Sequence, residues 1–267
     1  MKFSGTAAIV LRYFFLIRGS PARLFPMFVW VTIDMLLWGF LTKYLGSVTS
    51  SGMKFVPLFL GAVVLWDFFI RIMHGVTMSF LEDVWSRNFL NIFATPLTIP
   101  EYLGGLVITS IGTSMIGLIV MLVLATTVFG LSFVALGAML IPFLLVLFTF
   151  GIALGIFGCA TVLRLGPSAE WFTWTIPAIV SPFVGVFYPV STLPLWMRAI
   201  AHALPPSYVF EGMRAILAGH AMPAGSLVIG IALAVLDLLF ACWFFARVHR
   251  HAVRSGLLAR YSAESVG

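Results

Sequence analysis

Long apolar runs separated by short polar segments extend along almost the whole chain. Five runs of about 20 residues or more lie at roughly 25–42, 56–81, 102–129, 133–163 and 224–246, and a sixth, at 171–190, is interrupted by three prolines. Runs of this length predict helices that cross a membrane. They exclude a β-barrel, whose strands alternate in polarity over about ten residues. The chain is therefore predicted to be an all-α integral membrane protein, a single transmembrane domain over residues 1–267. Its six predicted spans lie at about 22–45, 56–81, 99–130, 133–163, 169–190 and 223–247.

Composition supports this fold class. Hydrophobic residues make up 61% of the chain and charged residues only 9%, whereas soluble domains are typically about half apolar and a quarter charged. A water-soluble domain is therefore excluded. The two cysteines, Cys159 and Cys242, fall within predicted spans without ligand or redox spacing, and we expect both to pack in the core.

Lysine and arginine are distributed unevenly between the predicted loops. Ten lie on one side of the membrane, namely Lys2, Arg12, Arg18, Arg23, Arg87, Arg164, Arg247, Arg250, Arg254 and Arg260. Four lie on the other side, namely Lys43, Lys54, Arg198 and Arg214. Because basic residues accumulate on the cytoplasmic side, both termini are predicted to be cytoplasmic, with a cytoplasmic tail at about 248–267. Topology accounts for the basic surplus, so no nucleic-acid partner is expected.

Two amphipathic segments are predicted at the membrane surface. Residues 3–18 are mostly apolar but contain Arg12 and Arg18 and stop at Gly-Ser-Pro, which is typical of an interfacial helix. Residues 82–93 form the second predicted helix. Its apolar side consists of Val84, Trp85, Phe89, Ile92 and Phe93, and its polar side of Asp83, Ser86, Arg87, Asn88 and Asn91. Thr98 and Glu101 then have capping-box spacing, with Pro100 in the first turn, and predict the start of the third span.

The run from Trp85 to Gly105 resembles a known loop. Its Arg-bearing short helix, Thr-Pro-Leu-Thr turn, Glu101 and Gly104-Gly105 are similar to the loop between spans two and three of bacterial ABC transporter permeases of the second export type. That class includes polysaccharide, nodulation-factor and drug exporters. The length, the number of spans and the amphipathic N-terminus of this chain agree with the class.

The resemblance implies a function and a set of partners. The loop would be a coupling helix that contacts an ATPase subunit through Glu82, Asp83, Val84, Trp85, Arg87 and Asn88. Two copies of the chain would form the pathway in the bacterial inner membrane, and ATP and magnesium would bind the separate ATPase subunits. The chain itself has only three lysines, at Lys2, Lys43 and Lys54, and none belongs to a Gly-x-x-x-x-Gly-Lys-Ser/Thr loop, so we expect it not to be an enzyme.

Several polar residues fall inside predicted spans, where charge is costly. Trp30, Asp34 and Trp38 share one face of the first span, and Asp67 and Arg71 are spaced to pair in the second. Asp237 lies in the last span. Asp34 and Asp237 are interpreted either as structural contacts between helices or as a lining of the cargo path. The Asp67–Arg71 pair is interpreted either as a structural pair or as a group that opens the pathway, and the sequence leaves these alternatives open.

The segment at about 191–219 is too polar to cross the membrane and too apolar for a free loop. It predicts two short helices, at about 194–203 and 206–218, that re-enter the membrane before the last span, as the resembled family also has. The residues singled out there are Trp196, Arg198, Tyr208, Glu211 and Arg214. His202 and His220 lack Cys or Asp companions and are interpreted as surface histidines, so no metal site is predicted.

Two other functions remain open. A carrier driven by an ion gradient could use Asp34, Asp67 and Asp237, and a subunit of a biogenesis complex could have the same fold. The cargo is not identified by the sequence. An aromatic-rich interior suits sugars, a scarcity of charge suits lipids or apolar drugs, and the absence of a basic stripe in the spans argues against a polyanion.

Overall fold

The computed structural model describes residues 3–48, 55–86, 88–131, 133–223 and 225–255, and these residues form helices joined by short turns. The α-helices are α1 (Phe3–Arg18), α2 (Pro21–Val48), α3 (Phe55–Trp85), α4 (Phe89–Phe93), α5 (Ile99–Thr127), α6 (Leu140–Leu165), α7 (Glu170–Val184), α8 (Leu195–Ala203), α9 (Pro205–Leu217) and α10 (Ser226–Arg254). Short 3-10 segments lie at Phe133–Met139, Pro167–Ala169 and Val190–Thr192. The all-helical fold class is confirmed.

Within the described residues, five helical segments are long and apolar enough to cross a membrane. They are Phe28–Val48, Leu58–Trp85, Ile99–Thr127, Leu136–Leu165 and Ser226–Arg254, of which the fourth begins in the 3-10 segment before α6. The span predicted at 169–190 is not among them, because α7 has 15 residues, contains Pro177 and Pro182, and ends at Gly185 in a left-handed conformation. A helix of that length reaches only ~22 Å, shorter than the ~30 Å hydrocarbon core.

Helix α6 lies at the centre of the bundle, between α3 and α10. Gly155 lets α6 approach α3 closely, since a Cβ added to it would lie 2.9 Å from the backbone oxygen of Met73 and 2.8 Å from the Cβ of Val76. Helices in a membrane gain little from hydrophobic association, so contacts of this kind stabilise the bundle through close packing. Cys159, on the same helix, is buried as predicted.

Helix α1 matches the predicted interfacial helix in extent and packs against α5 and the end of α3. A Cβ on Gly105 would lie 2.4 Å from Ile9, so the two helices touch where α5 has no side chain. The start of α5 also follows its prediction, since Glu101 accepts hydrogen bonds from the backbone N–H and hydroxyl of Thr98 at 2.9 and 2.8 Å.

The helix predicted at 82–93 differs in the structure. Helix α3 continues through Glu82 to Trp85, and only Phe89–Phe93 form the separate single-turn helix α4. The apolar side of the second span continues through the buried residues Phe80, Leu81 and Val84. No residue between them and Ser86 would end a helix, so α3 continues to Trp85. Phe89 and Ile92 are buried as predicted, and Arg87 lies outside the described residues.

After α7 the chain folds into the short helices α8 and α9, and both helices were predicted within about two residues. Their polar side chains bond the irregular backbone around them. Arg214 donates to the carbonyls of Gly185 at 2.5 Å and Val186 at 3.3 Å, and Glu211 accepts the N–H of Val190 at 2.7 Å. Arg198 donates to the carbonyl of Leu193 at 2.7 Å. Backbone groups held in this way suit a low-dielectric environment.

Candidate functional site

The helices α3 and α10 end, and α5 and α7 begin, at the same end of the bundle, which we call the junction. One buried carboxylate, that of Asp83, connects several helices there. The side chain of Asp83 is 0% exposed. Its Oδ1 lies 2.5 Å from the Nη1 of Arg12 on α1, and its Oδ2 accepts a hydrogen bond of 2.8 Å from the hydroxyl of Tyr102 on α5. Asp83 therefore ties three helices together. Its predicted position on the polar side of a coupling helix is wrong, because that side faces α1 and α5.

Burial and the Asp83 carboxylate together determine the charge states of Arg12 and Tyr13 on α1. Burial by itself lowers the pKa of the Arg12 guanidinium, but the Asp83 carboxylate outweighs burial and the pKa is raised. Burial, followed by the same carboxylate, raises the pKa of Tyr13, whose hydroxyl donates to the backbone carbonyl of Ser79. Arg12 thus stays charged and Tyr13 stays neutral, and both hold α1 against α3.

Two further contacts anchor the last turn of α3. Glu82 pairs with Arg23, at the start of α2, and Arg23 also donates to the carbonyl of Leu16 at 3.2 Å. The indole N–H of Trp85 donates to the Glu170 carboxylate, at the start of α7, at 2.7 Å. The end of α3 is therefore bonded to α1, α2, α5 and α7.

Only part of the predicted coupling surface is accessible. Val84 is buried with Asp83, whereas Glu82 and Asn88 are half-buried. Trp85 is 50% exposed although it was placed on the apolar side of its helix. Exposed residues of the following turn, at 94–96, extend this surface.

A second feature is a cavity of about 540 Å³ inside the span region, bounded by α2, α3, α5 and α7. Its polar and aromatic lining consists of Trp30, Asp34, Asp67, Arg71, His74, Thr113, Ser114 and Trp174. The predicted Asp67–Arg71 pair is confirmed, since the Nε of Arg71 donates to Asp67 at 2.7 Å. The structure thus brings together four residues proposed for the cargo path, from two different spans.

The other two candidates lie elsewhere. Trp38 stacks on Phe187, with ring centroids 5.6 Å apart, and contacts Phe59 in an aromatic cluster. Asp237 is half-buried on α10 and does not line the cavity. Among the residues of the 191–219 segment, Trp196 is 63% exposed, and Tyr208 donates to the carbonyl of His202 at 2.8 Å.

Several site residues were not singled out from the sequence. Glu170, His74, Ser114 and Trp174 reach the junction or the cavity through contacts distant in sequence. For Arg12 a signal was present, because an arginine in an apolar helix needs an acidic partner, but its partner is 71 positions away.

A protein-family comparison decides the identity. The family model described as "ABC-2 type transporter" matches residues 6–218. The chain belongs to the ABC-2 type transporter family. The resemblance seen in the loop after the second span is thereby confirmed, and it extends over most of the chain. No curated protein matches this one.

Membership of the ABC-2 family fixes the coarse function. This ABC-2 protein is a membrane permease involved in transport, and its matched region is a transporter domain rather than a catalytic one. The match includes the cavity, the α8–α9 segment and the junction residues of α1, α2, α3, α5 and α7, whereas α10 lies beyond it.

Proposed function

We propose that this chain is the membrane-spanning subunit of an ATP-driven exporter in which two copies form the pathway and separate ATPase subunits dock at the junction. Besides family membership, the main support for the proposal is the way in which α3 is anchored. Its last turn is bonded to α1, α2, α5 and α7, yet Trp85 remains half-exposed at the tip. A contact at that tip would act on the whole helical bundle.

The proposed orientation places the junction in the cytoplasm. Arginines cluster at this end of the helices, with Arg12, Arg18 and Arg23 near α1 and Arg164 and Arg247 at the ends of α6 and α10. Positive charge is concentrated on the cytoplasmic side of membrane proteins. The ATPase subunits, with their ATP and magnesium, would therefore meet the junction in the inner membrane of a bacterium.

In this proposal α7 together with the non-helical residues 185–189 forms a sixth crossing, because α7 by itself is too short, and α8 and α9 re-enter the outer leaflet. The backbone bonds made by Arg198, Glu211 and Arg214 support this, because irregular backbone at membrane depth must be satisfied by protein. The cavity then lies along the pathway, with Asp34 and the Asp67–Arg71 pair in its wall.

A gradient-driven carrier is the second candidate, and Asp34 is the observation that favours it. Among the described residues this carboxylate makes no ion pair or hydrogen bond, so it is available to bind a coupling ion. Such a carrier needs no ATPase, and the surface at Trp85 would then face only water.

The test compares two exposed tryptophans at opposite ends of the bundle. Trp85→Ala should reduce copurification of the ATPase subunit and export, because truncating an aromatic anchor costs about 2 kcal/mol, roughly thirtyfold in affinity. Trp196→Ala, which removes a ring of comparable exposure at the other end (63% against 50%), should leave both unchanged.

The outcomes separate the two candidates. Membrane insertion of both variants is measured as the amount of chain in the membrane fraction, and dimer content by size-exclusion chromatography in detergent. If Trp85→Ala retains the ATPase and transports normally while Asp34→Asn abolishes transport, the ATP-driven proposal fails and the gradient-driven carrier replaces it.

A further inference from the structure

The charges in the cavity do not balance. Arg71 donates to Asp67 at 2.7 Å, so its charge is already matched by one carboxylate. Asp34 lies within electrostatic reach of both groups but makes no ion pair or hydrogen bond among the described residues. With both carboxylates ionised, the wall therefore carries one unmatched negative charge in a region where an uncompensated charge is costly.

Two other polar groups of the cavity lack partners. The hydroxyl of Ser114 is buried, with the residue 2% exposed, and bonds to no described residue. His74 bonds the backbone of Thr173, and its Nε2 is buried without a partner. In the tautomer that donates from Nδ1, this Nε2 is an acceptor, and a serine hydroxyl also accepts. The unsatisfied groups thus offer acceptors to a ligand.

The remaining walls are aromatic and apolar. Trp30 and Trp174 both line the cavity, and Trp174 lies against His74 with ring centroids 4.7 Å apart. A tryptophan face attracts a cation held within about 6 Å, more strongly when the site is desolvated. The volume of about 540 Å³ falls within the range of small-molecule sites.

We propose that this cavity binds an organic cation, specifically the protonated amine of an amphiphilic molecule. Asp34 supplies the counter-charge, His74 and Ser114 accept the ammonium N–H groups, and the tryptophans cover the apolar part. An anion fits poorly, because the guanidinium in the wall is already paired. A calcium or magnesium ion also fits poorly, since each takes six or more oxygen ligands and these walls are mostly carbon.

The role of this ligand as cargo rests on the proposed function, but its binding does not. Binding is therefore measured on the whole chain alone, reconstituted in nanodiscs. Tetraphenylphosphonium and tetraphenylborate are probes of the same size and shape with opposite charge, and octylamine adds the N–H donors. Asp34→Asn is compared with Asp237→Asn. The second variant changes a carboxylate that is also half-buried within a span but does not line the cavity.

The expected result is saturable binding of tetraphenylphosphonium and octylamine but not of tetraphenylborate. Asp34→Asn should weaken cation binding about tenfold, Asp34→Glu should retain it, and Asp237→Asn should change it less than twofold. Equal binding by wild type and Asp34→Asn, or equal effects of the two Asn variants, would overturn the proposal. Loss of sodium binding in Asp34→Asn, with organic cation binding unchanged, would also overturn it.

The two proposals fail separately. Cation binding without a copurifying ATPase leaves the cavity assignment standing and removes the ATP-driven mechanism. An ATPase-coupled chain that binds no cation removes the cavity assignment and leaves the ATP-driven mechanism standing.

Discussion

Replacing Asp83 with asparagine should destabilise the bundle strongly, although the change preserves the shape of the side chain. The variant leaves the guanidinium of Arg12, whose side chain is 27% exposed, facing a buried site without a counter-charge. Breaking a buried ion pair typically costs about 3–5 kcal/mol. Because Arg12 keeps some access to solvent, we place the expected loss at the lower end, about 3 kcal/mol.

The contacts of Asp83 can be measured separately. Tyr102→Phe removes one hydrogen bond to the carboxylate and should cost about 1.5–3 kcal/mol. In a double-mutant cycle of Asp83→Asn and Arg12→Gln, the two changes should be coupled by about 1–3 kcal/mol. Once one change has broken the ion pair, the other change should cost little further stability. Glu82→Gln is the matched control. Its pair with Arg23 is 30% and 41% exposed, so its loss should cost less than about 1 kcal/mol.

The assay is reversible unfolding in mixed micelles of increasing dodecyl sulfate content, followed by tryptophan fluorescence. Coupling below about 0.5 kcal/mol between positions 12 and 83, or equal losses in Asp83→Asn and Glu82→Gln, would refute the view that this pair clamps α1 to the bundle.

The same unfolding assay tests two further predictions. Gly155→Ala should cost about 1–3 kcal/mol because its Cβ would meet the backbone of α3, whereas Gly112→Ala, with nothing within 4 Å, should be neutral or slightly stabilising; equal effects would contradict the packing described. Arg71→Ala should lose more stability than the double variant with Asp67→Ala, since the single change leaves both carboxylates of the cavity wall without a counter-charge; additive losses would count against the pair.

The sequence predicted those features that depend on local pattern. Apolar run length located five long helices, and capping-box spacing located the start of α5. The spacing of Asp67 and Arg71 predicted their pairing, because residues four apart share one helix face. The α8 and α9 helices followed from apolar runs too short to cross a membrane.

What the sequence could not supply were contacts between distant positions. Asp83 appears polar by residue type and was assigned to an exposed face, but its environment is set by Arg12 and Tyr102, which only the packing of α1 and α5 brings together. The end of α3 was misplaced for a related reason. The predicted helix began at Glu82 and Asp83 because carboxylates favour a helix N-terminus, whereas these two residues are instead held by arginines from α2 and α1.

The length of α3 links the two parts of the candidate site. Arg71 in the cavity wall and Asp83 at the junction lie on one uninterrupted helix, 12 residues apart, which corresponds to ~18 Å along its axis. Because a helix of this kind moves as a rigid element, a tilt of ~10° at the junction displaces the cavity wall by ~3 Å. The contacts of Asp83 and Trp85 also tie α1, α5 and α7 to that end. Since α5 and α7 also line this cavity, and α2 is tied to the same end through the pair of Glu82 and Arg23, a force applied at the tip of α3 reaches all four of its sides.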